Sequence, residues 1–194
     1  MNYEIIIMII LLSIFIYYVN IISVIENIKD SIIINVFNTL SVLFILIFIY
    51  YSVLFGVKRG IFTTLIIWCL FVTTIPIPIS GALISVPLKN LLNIDLDTTQ
   101  MVISLFCLCF IFYSYYNFRN YLSETNSGRF LLKILDLGSF SIFVVSILAS
   151  ISLSYFINGI MDETININNE FIYLIIFIIS LIYYIISLYH VLKS

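Results

Sequence analysis

The stretch "FIYLIIFIISLIYYIISLYHVL", residues 171–192, decides the class of fold. It contains no Asp, Glu, Lys or Arg, and Asn169 just before it is a candidate helix cap. A helix needs about 20 apolar residues to cross the hydrocarbon core of a bilayer, and this run supplies them. The rest of the chain reads the same way. Of its 194 residues, 63% are hydrophobic and 9% charged, with a mean hydropathy of +1.22. A soluble domain carries about 25% charged residues, so this chain lacks the polar surface to cover a water-exposed globule. The net charge of −2 offers no basic surface, and no nucleic-acid partner is expected.

Working back from that run, five more are long and apolar, at about residues 5–25, 32–55, 61–75, 98–118 and 137–157. The first lacks the basic start and small-residue cleavage site of a signal peptide, so it is expected to be retained. Ser31 is a candidate N-cap for the second. Asp97 and Gln100, three residues apart, resemble a capping box for the fourth. The expected fold is an all-α integral membrane protein: one transmembrane domain over residues 1–194, a six-span helix bundle in the cell (inner or plasma) membrane. No connecting segment is long enough to hold a soluble domain.

Charge orients the spans. With a cytoplasmic N-terminus, the inner segments hold Lys58, Arg59, Arg119, Arg129, Lys133 and Lys193, and the outer ones only Lys29 and Lys89, six against two. Glu26, Asp30, Asp95, Asp97, Asp162, Glu163 and Glu170 fall outside. Both termini are therefore expected in the cytoplasm. Ten of the fourteen tyrosines lie near the expected inner ends, where amphipathic rings meet the headgroups.

Local signals sharpen the packing. "GVKRG", residues 56–60, reads as a tight turn that makes the second and third spans antiparallel neighbours, with both glycines serving the turn. Ser146, Ser150 and Ser154 recur every four residues in the fifth span, a stripe that lets helices approach closely. The alternative is that this stripe lines a solute path. Cys69, Cys107 and Cys109 sit in apolar runs and read as small packing residues. Cys107 and Cys109 point to nearly opposite sides of a helix and cannot chelate a metal from one face. "RNYLSETNSGRFLLKILD", residues 119–136, reads as a basic inner loop with a flexible, turn-rich centre.

The stretch "TTIPIPISGALISVPLK", residues 73–89, holds all three prolines. Pro76 and Pro78 remove amide donors and clash with the preceding turn, so the third span is expected to end near Ile75 and to continue extended. Residues from Pro87 read as a short interfacial helix. The segment is either a re-entrant element within the bundle, turning at Ser80 and Gly81, or a cap over its outer face. Backbone that leaves helical form at membrane depth lines a cavity or is buried by protein. Thr73, Thr74, Pro76, Pro78, Ser80 and Gly81 are therefore the candidate solute path or helix break.

Chemistry is sparse. No Asp, Glu, Lys, Arg or His falls at mid-depth in a span, where pumps and proton relays carry them. There is no HExxH, no GxSxG and no glycine-rich phosphate loop. The acidic pairs Asp95/Asp97 and Asp162/Glu163 read as caps and solvated loop residues rather than a weak calcium site. His190 reads as interfacial. No catalytic, metal or cofactor set is expected, and no enzyme. Two function classes remain. One is a non-enzymatic structural or assembly component of a membrane complex, partnered by lipid and by other membrane subunits or copies of itself. The other is a small channel or facilitator for an ion or small polar solute, its path near residues 73–81.

Overall fold

The computed structural model describes residues 31–77, 84, 96–161 and 167–193. Among them the chain is helical, with no strand. The helices are α1 (Ser31–Phe55), α2 (Val57–Thr74), α3 (Leu96–Asn117), α4 (Arg119–Glu124), α5 (Asn126–Asp136), α6 (Ser141–Met161) and α7 (Ile167–Lys193). Among the described residues, four segments are long and apolar enough to cross a membrane: Asn38–Phe55, Val57–Thr74, Thr98–Asn117 and Phe171–Lys193. The pair α5 and α6, bent by 106°, would make a fifth if it acts as one span. The all-helical expectation is met, but the described residues stop short of six spans. The first expected span, residues 5–25, lies outside them, as do the expected helix from Pro87 and the acidic pair Asp162/Glu163.

The chain divides into two compact units, Met1–Leu65 and Ile66–Ser194. In the first, the break between α1 and α2 is a single residue. Gly56 has φ 84°, a left-handed conformation that glycine adopts freely, and its N–H donates to the Ser52 carbonyl at 3.0 Å. Helix resumes at Val57, so the expected five-residue turn contracts to one. Gly60 is already helical, and turn geometry is not its reason. A Cβ there would lie 2.7 Å from Ser52 Cα and 2.8 Å from Ser52 N. Gly60 is what lets the start of α2 lie against the end of α1.

In the second unit, α3 and α6 run antiparallel. Gln100 meets Ser150 near one end, and the rings of Phe112 and Phe140 lie 5.7 Å apart near the other. α6 then packs along α7 more extensively than any other described pair, with Tyr155 stacked on Tyr173 at 5.3 Å. Most of α7 looks outward: only 6% of its apolar window is buried. Ile172, Ile175, Ile179, Ile182 and Ile186 are all exposed.

The segment expected to be a flexible loop is two helices. Thr125 caps α5, its hydroxyl accepting from the Gly128 N–H at 3.1 Å. α5 is amphipathic: Leu131, Leu132, Ile134 and Leu135 are buried, while Arg129 and Asp136 face out. Burial of each such aliphatic side chain is worth about 1.5–3 kcal/mol against leaving it in water, which outweighs the turn-forming bias of "SETNSG". Gly138 ends the element at φ 64°, with its N–H on the Leu135 carbonyl at 3.0 Å and that of Ser139 on the Ile134 carbonyl at 3.0 Å. The next helix accordingly begins at Ser141 rather than at Leu137.

Candidate functional site

The helix break is a tight turn. α2 ends at Thr74, and the Ile77 N–H donates to the Ile75 carbonyl at 2.8 Å, closing a three-residue turn about Pro76. This replaces the extended run expected there. Pro76 is buried and Ile77 exposed. Thr73 donates to the Cys69 carbonyl at 2.7 Å and Thr74 to the Leu70 carbonyl at 2.6 Å. Both hydroxyls are thus spent on the turn of helix beneath them, a bonding that bends helices. Pro78, Ser80 and Gly81 lie outside the described residues.

The polar residues that do converge belong to α3 and α6. Along α3 the buried positions include Gln100, Ser104, Cys107, Ile111 and Ser114, at spacings of four, three, four and three residues, which is one helical face. Along α6 they include Ile142, Ser146, Ala149, Ser150 and Ser154. Gln100 Nε2 donates to Ser150 Oγ at 3.2 Å, with Gln100 2% exposed and Ser150 fully buried. Gln100 therefore faces the bundle and does not complete the expected capping box; α3 begins at Leu96, so Asp97 is inside the helix. The hydroxyls of Ser104, Ser114 and Ser146 are buried with no hydrogen-bond partner. Ser152, off the stripe, donates to the Leu148 carbonyl at 2.8 Å.

The serine stripe of Ser146, Ser150 and Ser154 is thus buried, as close packing requires. Gln100 answers it at Ser150, and Ser104 and Ser114 share the buried face of α3 with Gln100. Their signal was present as a heptad-like row of small or polar residues in an otherwise apolar helix.

The cysteines resolve differently from one another. Cys107 is fully buried and Cys109 exposed, as their spacing predicts. Cys69 of α2 is also fully buried and neighbours Cys107. Near the end of α2, a recess of about 390 Å³ is lined by Leu70, Phe71, Thr74 and Ile75 on one side and by Asn126, Ser127 and Phe130 of α5 on the other. Beyond α3, Tyr115 donates to Asp136 Oδ1 at 2.8 Å and Arg119 to Asp136 Oδ2 at 2.7 Å. These two contacts, the Tyr115 hydroxyl first, hold the Asp136 carboxyl below its ordinary range. Among the described residues no three of His, Cys, Asp and Glu gather as a metal site.

Comparison with known proteins finds no matching family model, no matching curated protein and no matching solved structure.

Proposed function

We propose that the protein is a multi-pass integral membrane protein acting as a non-enzymatic structural or assembly component of a membrane complex. The observation that carries the second part is the Gln100–Ser150 bond. Gln100 of α3 and Ser150 of α6 meet at 3.2 Å with both side chains buried, which is how helices are held together where lipid supplies no hydrophobic drive. Embedding in a bilayer is supported by α7, where Ile172, Ile175, Ile179, Ile182 and Ile186 are exposed. Thr73 and Thr74 support the same reading, because their hydroxyls bond the carbonyls of their own helix. Extraction in a mild detergent followed by size-exclusion chromatography and mass spectrometry tests it. The expected result is recovery from the membrane fraction, resistant to alkaline carbonate, with a reproducible membrane partner or a second copy. A protein that behaves as a solitary monomer across several mild detergents contradicts an assembly role.

A second reading, a small channel or facilitator, is favoured by one observation: the hydroxyls of Ser104 and Ser114 in α3 and of Ser146 in α6 lie buried and unpartnered. It requires solute flux into liposomes above that of empty vesicles, lost on Ser146→Leu. Flux indistinguishable from empty liposomes over a broad panel of ions and small neutral solutes removes it.

A further inference from the structure

Two sets of contacts fix the direction of α2 against α3. Cys69 and Cys107 are neighbours and both fully buried, which sets those two residues at about one level. The recess joins Leu70, Phe71, Thr74 and Ile75 to Asn126, Ser127 and Phe130. α5 in turn belongs to the C-terminal end of α3, because Asp136 is held by Tyr115 and Arg119. It lies across that end of the bundle, since it meets the antiparallel α6 at 106°. A helix rises about 1.5 Å per residue, so Tyr115 is about 12 Å beyond Cys107 and Ile75 about 9 Å beyond Cys69. If α2 ran antiparallel to α3, Ile75 would sit on the order of 20 Å below the level of Tyr115 and could not share a recess with Asn126. Only a parallel course brings Ile75 to α5.

From this we propose that the C-terminal ends of α2 and α3 open to the same side of the membrane, the side on which α5 lies, and that Thr98 at the start of α3 faces the other side. Ile77 and Ser127 are then on one side, and Ile77 and Thr98 on opposite sides. A simple alternation of six spans makes the contrary assignment, with Ile77 and Thr98 together and Ser127 across the membrane. The proposal thereby removes the basis of the six-to-two charge count, which set residues 119–136 and the end of α2 on different sides. It rests on the membrane-spanning reading above.

The test uses the full chain in right-side-out vesicles, with single added cysteines Ile77→Cys, Thr98→Cys and Ser127→Cys and an impermeant maleimide applied before and after permeabilisation. Cys109 is exposed and is replaced by serine in every variant; the chain carrying only that change is the blank, since Cys69 and Cys107 are buried. Ile77→Cys and Ser127→Cys are expected to react in the same compartment and Thr98→Cys in the other. Thr98→Cys reacting together with Ile77→Cys, while Ser127→Cys needs the opposite access, overturns the proposal and leaves the membrane reading intact. Release by alkaline carbonate, or reaction of all three from one side, overturns both. A bifunctional maleimide provides a second measurement that does not depend on sidedness. It should join Ile75→Cys to Ser127→Cys and not Ile75→Cys to Thr98→Cys; the reverse pattern refutes the parallel course.

Discussion

Gln100 Nε2 and Ser150 Oγ meet at 3.2 Å across the interface of α3 and α6. Their two residues contribute unequally, because they differ in the space around them. Gln100→Leu replaces the amide with an apolar group of similar size and loses one interhelical hydrogen bond, worth about 0.6 and at most about 1.7 kcal/mol in a membrane protein. Ser150 is fully buried against α3, so Ser150→Leu must force the helices apart, at about 1–3 kcal/mol or more. Thermal unfolding in detergent should therefore rank Ser150→Leu well below Gln100→Leu. Equal melting of the two variants would show that the interface is loose.

The glycines separate into two kinds. At Gly56 and Gly138 only the positive φ matters, since a Cβ at either would meet nothing within 4 Å. Asn tolerates that conformation, so Gly56→Asn and Gly138→Asn should fold with little loss, and Gly138→Ala should cost about 1–2 kcal/mol. Gly60 and Gly128 face backbone instead: a Cβ would lie 2.7 Å from Ser52 Cα and 2.7 Å from Leu122 Cα. Gly60→Ala and Gly128→Ala should both lower the melting temperature, and Ser52→Ala should not rescue Gly60→Ala, because the obstruction is main chain. Rescue by Ser52→Ala would place the close contact on the hydroxyl.

These residues also show which parts of the architecture are readable from sequence. Among the described residues, helix identity was legible wherever an apolar run exceeded about 20 residues, because hydropathy alone settles it. The ends of α1 and α7 came out within a few residues of expectation. Tertiary roles were not legible. Gln100 beside Asp97 satisfies a capping pattern, yet local pattern carries no information about Ser150, fifty positions away. "SETNSG" is turn-forming in isolation, and only the burial of Leu131, Leu132, Ile134 and Leu135 makes it the start of a helix. Cys69 and Cys107 read as separate packing residues because a thiol pair between helices leaves no spacing signature. Of the candidate break, Thr73, Thr74 and Pro76 are placed by the structure, and their hydrogen bonds run within α2 and its terminal turn.

The thiols offer a chemical check on the packing of α2 against α3. Cys109 is exposed on the outward face of α3, while Cys69 and Cys107 are fully buried against each other. A small membrane-permeable maleimide applied to the protein in detergent should modify one cysteine per chain quickly, and peptide mapping should locate it at Cys109. The other two should react only after denaturation. Rapid modification of Cys69 would mean that α2 does not cover α3 at that level. Replacing both buried thiols by alanine should leave the fold standing, since the pair contributes packing volume more than hydrogen-bond strength.

Asp136 gives a local pH dependence of definite sign. Its carboxyl accepts from Tyr115 and from Arg119, and both contacts favour the ionised form, so its folded value falls below the ordinary 3.8. A group whose folded value is depressed stabilises the folded state above the ordinary value and ceases to do so as pH falls through the folded value. All three partners are at the protein surface, so solvent screening keeps the effect small. Other carboxylates titrate in the same window, and the informative quantity is the difference between wild type and Asp136→Asn. Melting curves at neutral pH should show wild type the more stable, with the gap closing as the medium becomes more acidic than the ordinary carboxylate range. The gap should also narrow at high salt, because an exposed ion pair is screened. A gap that stayed constant down to strongly acidic medium would mean that Asp136 acts through shape rather than charge, and that Arg119 and Tyr115 do not hold the end of α5 against α3 electrostatically.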